Sequence, residues 1–324
     1  MREPVFNIKS EKDFHDISLQ IFKHQFENNV VYRSFCDLLY IHPSDVKSIE
    51  KIPFLPIEFF KSKKVLSSKS IIQETFTSSG TTGTNVSKHL VSDISWYQES
   101  FTKGFENNYG AIKDYTVLAL LPNYLERKSS SLVYMVDDFI KKSESSESGF
   151  YLENLDELAQ KLMALDKAKK KILLIGVSFA LLDLIEKHQF NLKNTIVMET
   201  GGMKGRRKEI TREELHKTLT KGFGIEKIHS EYGMTELLSQ AYSKGNGIFK
   251  CPPWMKVLTR DTDDPLSILS TKKSGGINVI DLANYNSCSF IATQDLGRLY
   301  ENNSFEVIGR FDNSDIRGCN LMVL

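Results

Sequence analysis

Between residues 115 and 231, short apolar runs alternate with longer amphipathic ones, and this alternation constrains the fold more than any other feature of the chain. Residues 117–121 (stopped by Pro122), 172–175 and 195–198 read as buried strands. Between them, Leu155, Leu158, Leu162 and Leu165 share one face of a helix opened by Asn154 with Glu157. Residues 180–188 form a second, short helix. Thr211 with Glu214 caps a third, which stops near Gly222 and Gly224. Strand and helix in regular succession imply βαβ units and a largely parallel sheet. Beyond residue 247 the pattern changes to short strands at 277–280, 289–292 and 305–308 around Gly and Asn turns.

The N-terminal region is different. Phe14, Ile17, Ile21, Phe22 and Phe26 recur at helical spacing after a capping pair, Ser10 and Asp13. Pro53 and Pro56 then impose an extended connector. Ile94, Tyr97, Phe101, Phe105 and Tyr109 form one apolar helix face. A chain of 324 residues can bury a large core. With 42 basic and 41 acidic residues, no global field recruits nucleic acid or anionic membrane. Cys36, Cys251, Cys288 and Cys319 have neither metal-ligand spacing nor a disulfide framework, which fits a reducing compartment. No signal-peptide pattern opens the chain, and its most apolar run, 172–185, has 14 residues. A bilayer needs about 20, so the expectation is a soluble, cytoplasmic protein without membrane insertion or nucleic-acid partner.

Residues 77–84 form an unbroken Ser/Thr/Gly run. Gly80 and Gly83 let successive N–H groups turn toward one anion, while the hydroxyls of Ser78, Ser79, Thr81, Thr82 and Thr84 add donors. The spacing is not that of a P-loop. Taken alone, the run reads as a polyphosphate nest or as a flexible polar loop. Three further motifs follow: Tyr232-Gly233-Met234-Thr235-Glu236, Asp295-Leu296-Gly297-Arg298 and Gly309-Arg310-Phe311-Asp312.

In order and spacing this set resembles the adenylate-forming (acyl-CoA synthetase) superfamily, from about residue 50 to the end of the sequence. Segments 52–57, 124–135 and 200–205, with Arg317-Gly318-Cys319, look like the acyl-protein synthetase branch. That branch is the synthetase component of the luminescence fatty acid reductase, related to phenylacetate-CoA ligases. The resemblance implies an α/β fold corresponding to the large N-terminal-type domain of these enzymes, with mixed and parallel sheets, flanking helices and the C-terminal domain essentially absent. The corresponding division is a helical segment over 1–50, an adenylate-forming core over 51–308 and a hinge-like tail over 309–324.

The resemblance also implies ATP and Mg²⁺, a carboxylic acid substrate of the fatty acyl class, and an acyl-accepting protein, either a reductase or a carrier protein. It assigns residues 78–84 to the phosphates and Thr235 to the α-phosphate. Glu236 takes the metal, a hard oxygen ligand for Mg²⁺. Gly201, Gly202, Tyr232 and Gly233 line the base pocket; Asp295 and Arg310 hold the ribose and phosphate. Segment 129–135 is either the substrate-side element or an ordinary core helix. His229 either orients the carboxylate or is a hydrogen-bonded strand-end histidine.

Two departures from the family pattern stand out. A lysine is usual three residues after the second loop glycine; Val86 stands there, and Lys88 follows two later. Lys88 or Lys204 is then the candidate to supply that charge. The sequence also ends 12 residues after Asp312, short of a domain that would complete a CoA-ligase cycle. Cys319 gains interest accordingly. Arg317 beside it favours the thiolate, and the branch carries its acyl group on a cysteine near the C-terminus. The competing reading is a tail cysteine packed with Leu321 and Val323. Two other functions fit the same fold: an acyltransferase fed by acyl-CoA or acyl-carrier protein, and a nucleotide-binding regulatory subunit.

Overall fold

The computed structural model describes residues 1–67, 69–78, 86–121, 129–152, 154–201, 207–208 and 210–311. Among these, a twelve-stranded sheet has two contrasting halves. Its parallel half runs in the order Gly149–Tyr151, Thr116–Leu120, Ile172–Val177, Thr195–Thr200, His229–Tyr232. The three strands Thr116–Leu120, Ile172–Val177 and Thr195–Thr200 are those expected from the apolar runs. The first two are buried along their whole length, on both faces, which is why they read as continuous hydrophobic runs.

The antiparallel half continues from Tyr232 outward. Ala241–Ser243 pairs with His229–Tyr232, and Ile248–Lys250 with Ala241–Ser243. Phe305–Arg310, Phe290–Leu299, Ser274–Asp281 and Met255–Arg260 follow in order. The last strands run longer than the 277–280, 289–292 and 305–308 read from sequence. Ladder pairing carries them past the apolar stretches into polar and glycine positions, with register shifts between Gly276 and Asn278 and between Leu296 and Gly297. Leu55–Pro56 adds a short parallel edge on Phe290–Leu299, as the prolines of the connector require.

The helices form where the apolar faces and caps predict. Glu11–Asn28 is capped by Ser10, whose hydroxyl accepts from Asp13 N at 3.1 Å, and buries Phe14, Ile17, Ile21, Phe22 and Phe26. Gln25 on this helix fastens the N-terminal region to the sheet. It donates to the carbonyls of Asn284 (3.1 Å) and Tyr285 (3.0 Å) and accepts from Ser289 N (2.9 Å). Ile94–Tyr109 buries Tyr97, Phe101 and Phe105. Arg212–Phe223 is capped by Thr211 and ends at Gly224, whose φ of +66° requires glycine. The 129–135 segment resolves partly into the helix Ser131–Lys142, which buries Met135, Val136 and Phe139. Among the described residues, no helix is long and apolar enough to cross a membrane.

Candidate active site

In an open α/β sheet, ligands bind outside the carboxyl ends of the parallel strands, and two of those ends carry motif residues. Thr195–Thr200 runs into Gly201, whose φ of +67° suits glycine. Ser178 Oγ donates to Gly201 O at 2.7 Å and fixes the turn. His229–Tyr232 runs into Gly233 and on through Thr235 to Glu236. Gly202 and residues 79–84 lie outside the described residues.

Tyr232 joins the two halves of the sheet. Its ring packs against Phe249 and Phe305, and its hydroxyl donates to Asp295 Oδ2 at 2.8 Å. Arg310 is the cross-strand partner of Asp295, with Nε 3.7 Å from Oδ1. Three residues from separate motifs therefore meet at one point. Burial raises the Asp295 carboxyl, opposed by the Tyr232 hydrogen bond and the positive Arg310, Arg212 and Arg260. With one lone pair used by Tyr232, the carboxylate keeps acceptor capacity on both oxygens.

Glu236 is 5% exposed, and burial raises its carboxyl, opposed by a hydrogen bond from Ser87 and by the positive Arg310 and Lys61. The segment around it is clamped from three sides. Asp281, fully buried, accepts from Leu238 N (2.7 Å), Ser239 N (3.0 Å), Ser239 Oγ (2.5 Å) and Ala283 N (3.2 Å). Asn284 Nδ2 donates to Glu236 O at 2.8 Å. His89, also fully buried, lies between Thr235 O (Nδ1, 2.8 Å) and Asn284 Oδ1 (Nε2, 3.0 Å). Both ring nitrogens thus face acceptors. Burial pushes the imidazole down to about 4, so the ring is neutral near pH 7 and donates to only one of them.

None of these three clamping residues stood out in the sequence. The period-2 alternation of Lys88–Val91 does mark His89 as the inward neighbour of Lys88, whose side chain is exposed. Asp281 has one local role, capping Ala283 N; its bonds to Leu238 and Ser239, and that of Asn284 to Glu236, reach more than 40 residues along the chain and leave no local signal.

In the chain, the Ser/Thr/Gly run lies between the two strands of a hairpin, Glu74–Thr77 and Lys88–Val91. Ser78 closes its neck: its hydroxyl accepts from Ser87 N at 3.0 Å, and its own N–H donates to Ser87 O at 3.1 Å. Thr77 N donates to Ser129 O at 2.8 Å. Through His89 the same hairpin is tied to Thr235, so the strands that flank the run and the Tyr232–Glu236 motif share one hydrogen-bond network.

The remaining candidates separate cleanly. His229 is buried against the Tyr109 hydroxyl (3.2 Å); burial, with Lys227, Lys244 and His216, pushes it down to about 4. Burial pushes the thiols of Cys36 and Cys251 up to about 12 and that of Cys288 well above its ordinary value, which keeps all three in the thiol form near pH 7. Cys319 lies outside the described residues. Among the described residues no group of three or more His, Cys, Asp and Glu could hold a metal. Glu236, a buried carboxylate with nearby positive charge at Lys61 and Arg310 only as opposing influences on its titration, fits a cation that takes one carboxylate and completes its shell with phosphate and water oxygens.

Residues 6–324 match the family model described as Acyl-protein synthetase, LuxE. The search of curated proteins found no match. Among solved structures, 2-hydroxyisobutyryl-CoA ligase in the postadenylation state with 2-HIB-AMP matches with a TM-score of 0.70 at 12% identity, over 94% of this chain and 68% of that one. ATP-bound MatB from Rhodopseudomonas palustris matches with a TM-score of 0.56 at 14% identity, over 76% of this chain and 49% of that one. A luciferase-like enzyme from the mealworm Zophobas morio matches at 0.51 and 18% identity, over 76% and 60%. The fold is therefore the α/β fold of adenylate-forming enzymes, and the chain spans about half the length of the MatB structures.

Proposed function

Because the chain belongs to the LuxE acyl-protein synthetase family, we propose that it is an AMP-forming ligase that activates a carboxylic acid, of the fatty acyl class, with ATP. The observation that carries this reading is the meeting of Tyr232, Asp295 and Arg310 beside a buried Glu236 at the carboxyl end of the parallel strands. In the reaction, a carboxylate oxygen forms a bond to the α-phosphorus of ATP as the bond to pyrophosphate breaks, leaving an acyl-adenylate.

The residues divide the work as the chemistry demands. Asp295 accepts from the ribose hydroxyls, with its second lone-pair set held in place by Tyr232. Arg310, exposed at the strand end, donates to ribose or phosphate oxygens. The Thr235 hydroxyl serves the α-phosphate, and Ser78 to Thr84 wrap the outer phosphates. Gly201 and Gly202 leave room for the base. Glu236 would hold Mg²⁺, which neutralises charge on the triphosphate. Lys88, at the neck of the Ser/Thr/Gly hairpin, supplies positive charge where Val86 replaces the usual lysine. The acyl group then passes to a thiol, with Cys319 as the carrier, and on to a reductase or carrier protein. In that transfer the thiolate forms a thioester with the acyl carbon, and AMP leaves with the bonding electron pair.

The test is exchange of labelled pyrophosphate into ATP that depends on added carboxylate. Exchange with a medium- or long-chain acid is expected; its absence with every acid would overturn adenylation. Incubation with labelled acid and ATP is expected to give a hydroxylamine-labile protein adduct. Cys319→Ser should abolish the adduct while exchange persists, and an adduct retained in that variant removes Cys319 as carrier.

A further inference from the structure

Glu231 and Tyr242 share one face of the sheet, opposite the face on which Tyr232 reaches Asp295, and Gly233 and Gln240 lie just past the ends of those two strands. Glu231 is the cross-strand partner of Tyr242; Gly233 lies two residues beyond the one, and Gln240 two residues before the other. The polar groups of this face are incompletely paired. Thr200 Oγ1 donates to Glu231 Oε2 at 2.6 Å, while Oε1 turns toward Gly233, where an added Cβ would stand 2.4 Å from it. The same point is 3.3 Å from Gln240 Cγ, so the two side chains converge there.

Gln240 Oε1 and the Tyr242 hydroxyl, on residues 4% and 1% exposed, have no hydrogen-bond partner among the described residues. Unpaired buried polar atoms are rare and costly, and two on the face that also carries Glu231 call for an occupant. Burial, opposed by the Thr200 hydrogen bond and assisted by the negative Glu199, pushes the Glu231 carboxyl up to about 7.

The surroundings are aromatic. The Tyr242 ring packs edge-on against Phe105 and Tyr109. Tyr97, whose titration feels the Glu231 charge, stands 6.0 Å from Tyr134 and donates to Ser131 O at 3.0 Å. Both of those contacts lie on the helix that begins at Ser131, the candidate substrate-side segment. Apolar walls with a few convergent polar groups are what a small-molecule site requires. A group that both donates and accepts, and carries no charge into a buried site, fits two acceptors and one hydroxyl. That group is an alcohol.

We propose that Glu231, Gln240 and Tyr242 form a specificity site that selects a carboxylic acid bearing a hydroxyl group on its acyl chain over the unsubstituted acid. This rests on the adenylation reading above and names its substrate class. The test compares matched pairs, 3-hydroxybutyrate with butyrate and 3-hydroxydecanoate with decanoate, as substrates for pyrophosphate exchange. In at least one pair the hydroxylated acid is expected to have the higher kcat/KM, by about tenfold. Gln240→Met and Tyr242→Phe are expected to bring that ratio close to one while raising the melting temperature of the ligand-free protein, since each removes an unpaired buried atom. A preference for the unsubstituted acid in both pairs overturns the proposal. So does an unchanged ratio in both variants, which leaves an ordered water as the occupant. If no acid supports exchange, adenylation itself fails. Calorimetric titration of the same pairs without ATP then decides: tighter binding of a hydroxylated acid supports the site, and equal or absent binding overturns it.

Discussion

The segment just after Tyr232 and the sheet face under Glu231 are only a few residues apart, yet they treat polar groups in opposite ways. From Thr235 to Ser239, backbone groups are met by Asp281, Asn284 and His89, all fully buried. At Glu231, Gln240 and Tyr242, comparable burial leaves polar atoms without partners. The contrast separates positioning from recognition. A segment that must hold Thr235 and Glu236 in fixed geometry is satisfied from within the protein. A face that meets substrate keeps hydrogen-bonding capacity in reserve, at a cost in stability.

The sharpest way to break this contrast is to remove the peg of the clamped segment. Asp281→Ala leaves the buried N–H groups of Leu238, Ser239 and Ala283 without their acceptor, and urea unfolding should register a loss of about 4 kcal/mol. A loss below about 1 kcal/mol would mean that the segment is held by other contacts.

The next effect reads the reserve side through pH. The Glu231 carboxyl is raised from 4.5 to about 7, so the native state binds its proton more tightly than the unfolded chain does. Its contribution is fully present below about pH 4.5 and is lost as pH rises toward 7, by up to about 3 kcal/mol. Glu231→Gln cannot ionise, so melting curves across that range should lose this slope relative to the parent protein. An identical slope in both would show that Glu231 titrates normally. The smallest effect is expected for Asn284→Ala. It leaves Glu236 O and one nitrogen of His89 unpartnered, and should cost about 2 kcal/mol in the same unfolding measurement. A cost equal to that of Asp281→Ala would instead make Asn284 an equal anchor of the segment.

Much of the scaffold was legible in the chain. The strands at 116–120, 172–177 and 195–200 were located by the apolar runs 117–121, 172–175 and 195–198, the first two strands being buried along their whole length. The helices declared themselves by caps such as Ser10, Asn154 and Thr211, whose side chains accept from a backbone N–H three residues on. Strand ends were less legible. Asp295 and Arg310 were read as motif residues after short strands, whereas ladder pairing carries both onto the strands themselves, directly opposite one another. Lys88, read only as a candidate to supply the charge of the usual lysine, lies on the hairpin strand that turns His89 inward. Segment 129–135 left a choice between wall and core helix; the helix Ser131–Lys142 buries one side, and Tyr134 packs against Tyr97.

The sequence by itself determined which stretches become helix and strand, and which residue types stand at the carboxyl ends of the parallel strands. Those are local matters of periodicity, capping and turn chemistry, acting within a few residues. Only the tertiary structure decided that Tyr232 meets Asp295, that His89 and Asn284 hold the peptide groups flanking Glu236, and that Gln240 and Tyr242 stay unpaired. The physical reason is that a hydrogen bond across 63 or 146 residues leaves no periodic trace in the chain. It exists only once packing has brought both partners out of water and left each with a single place to turn.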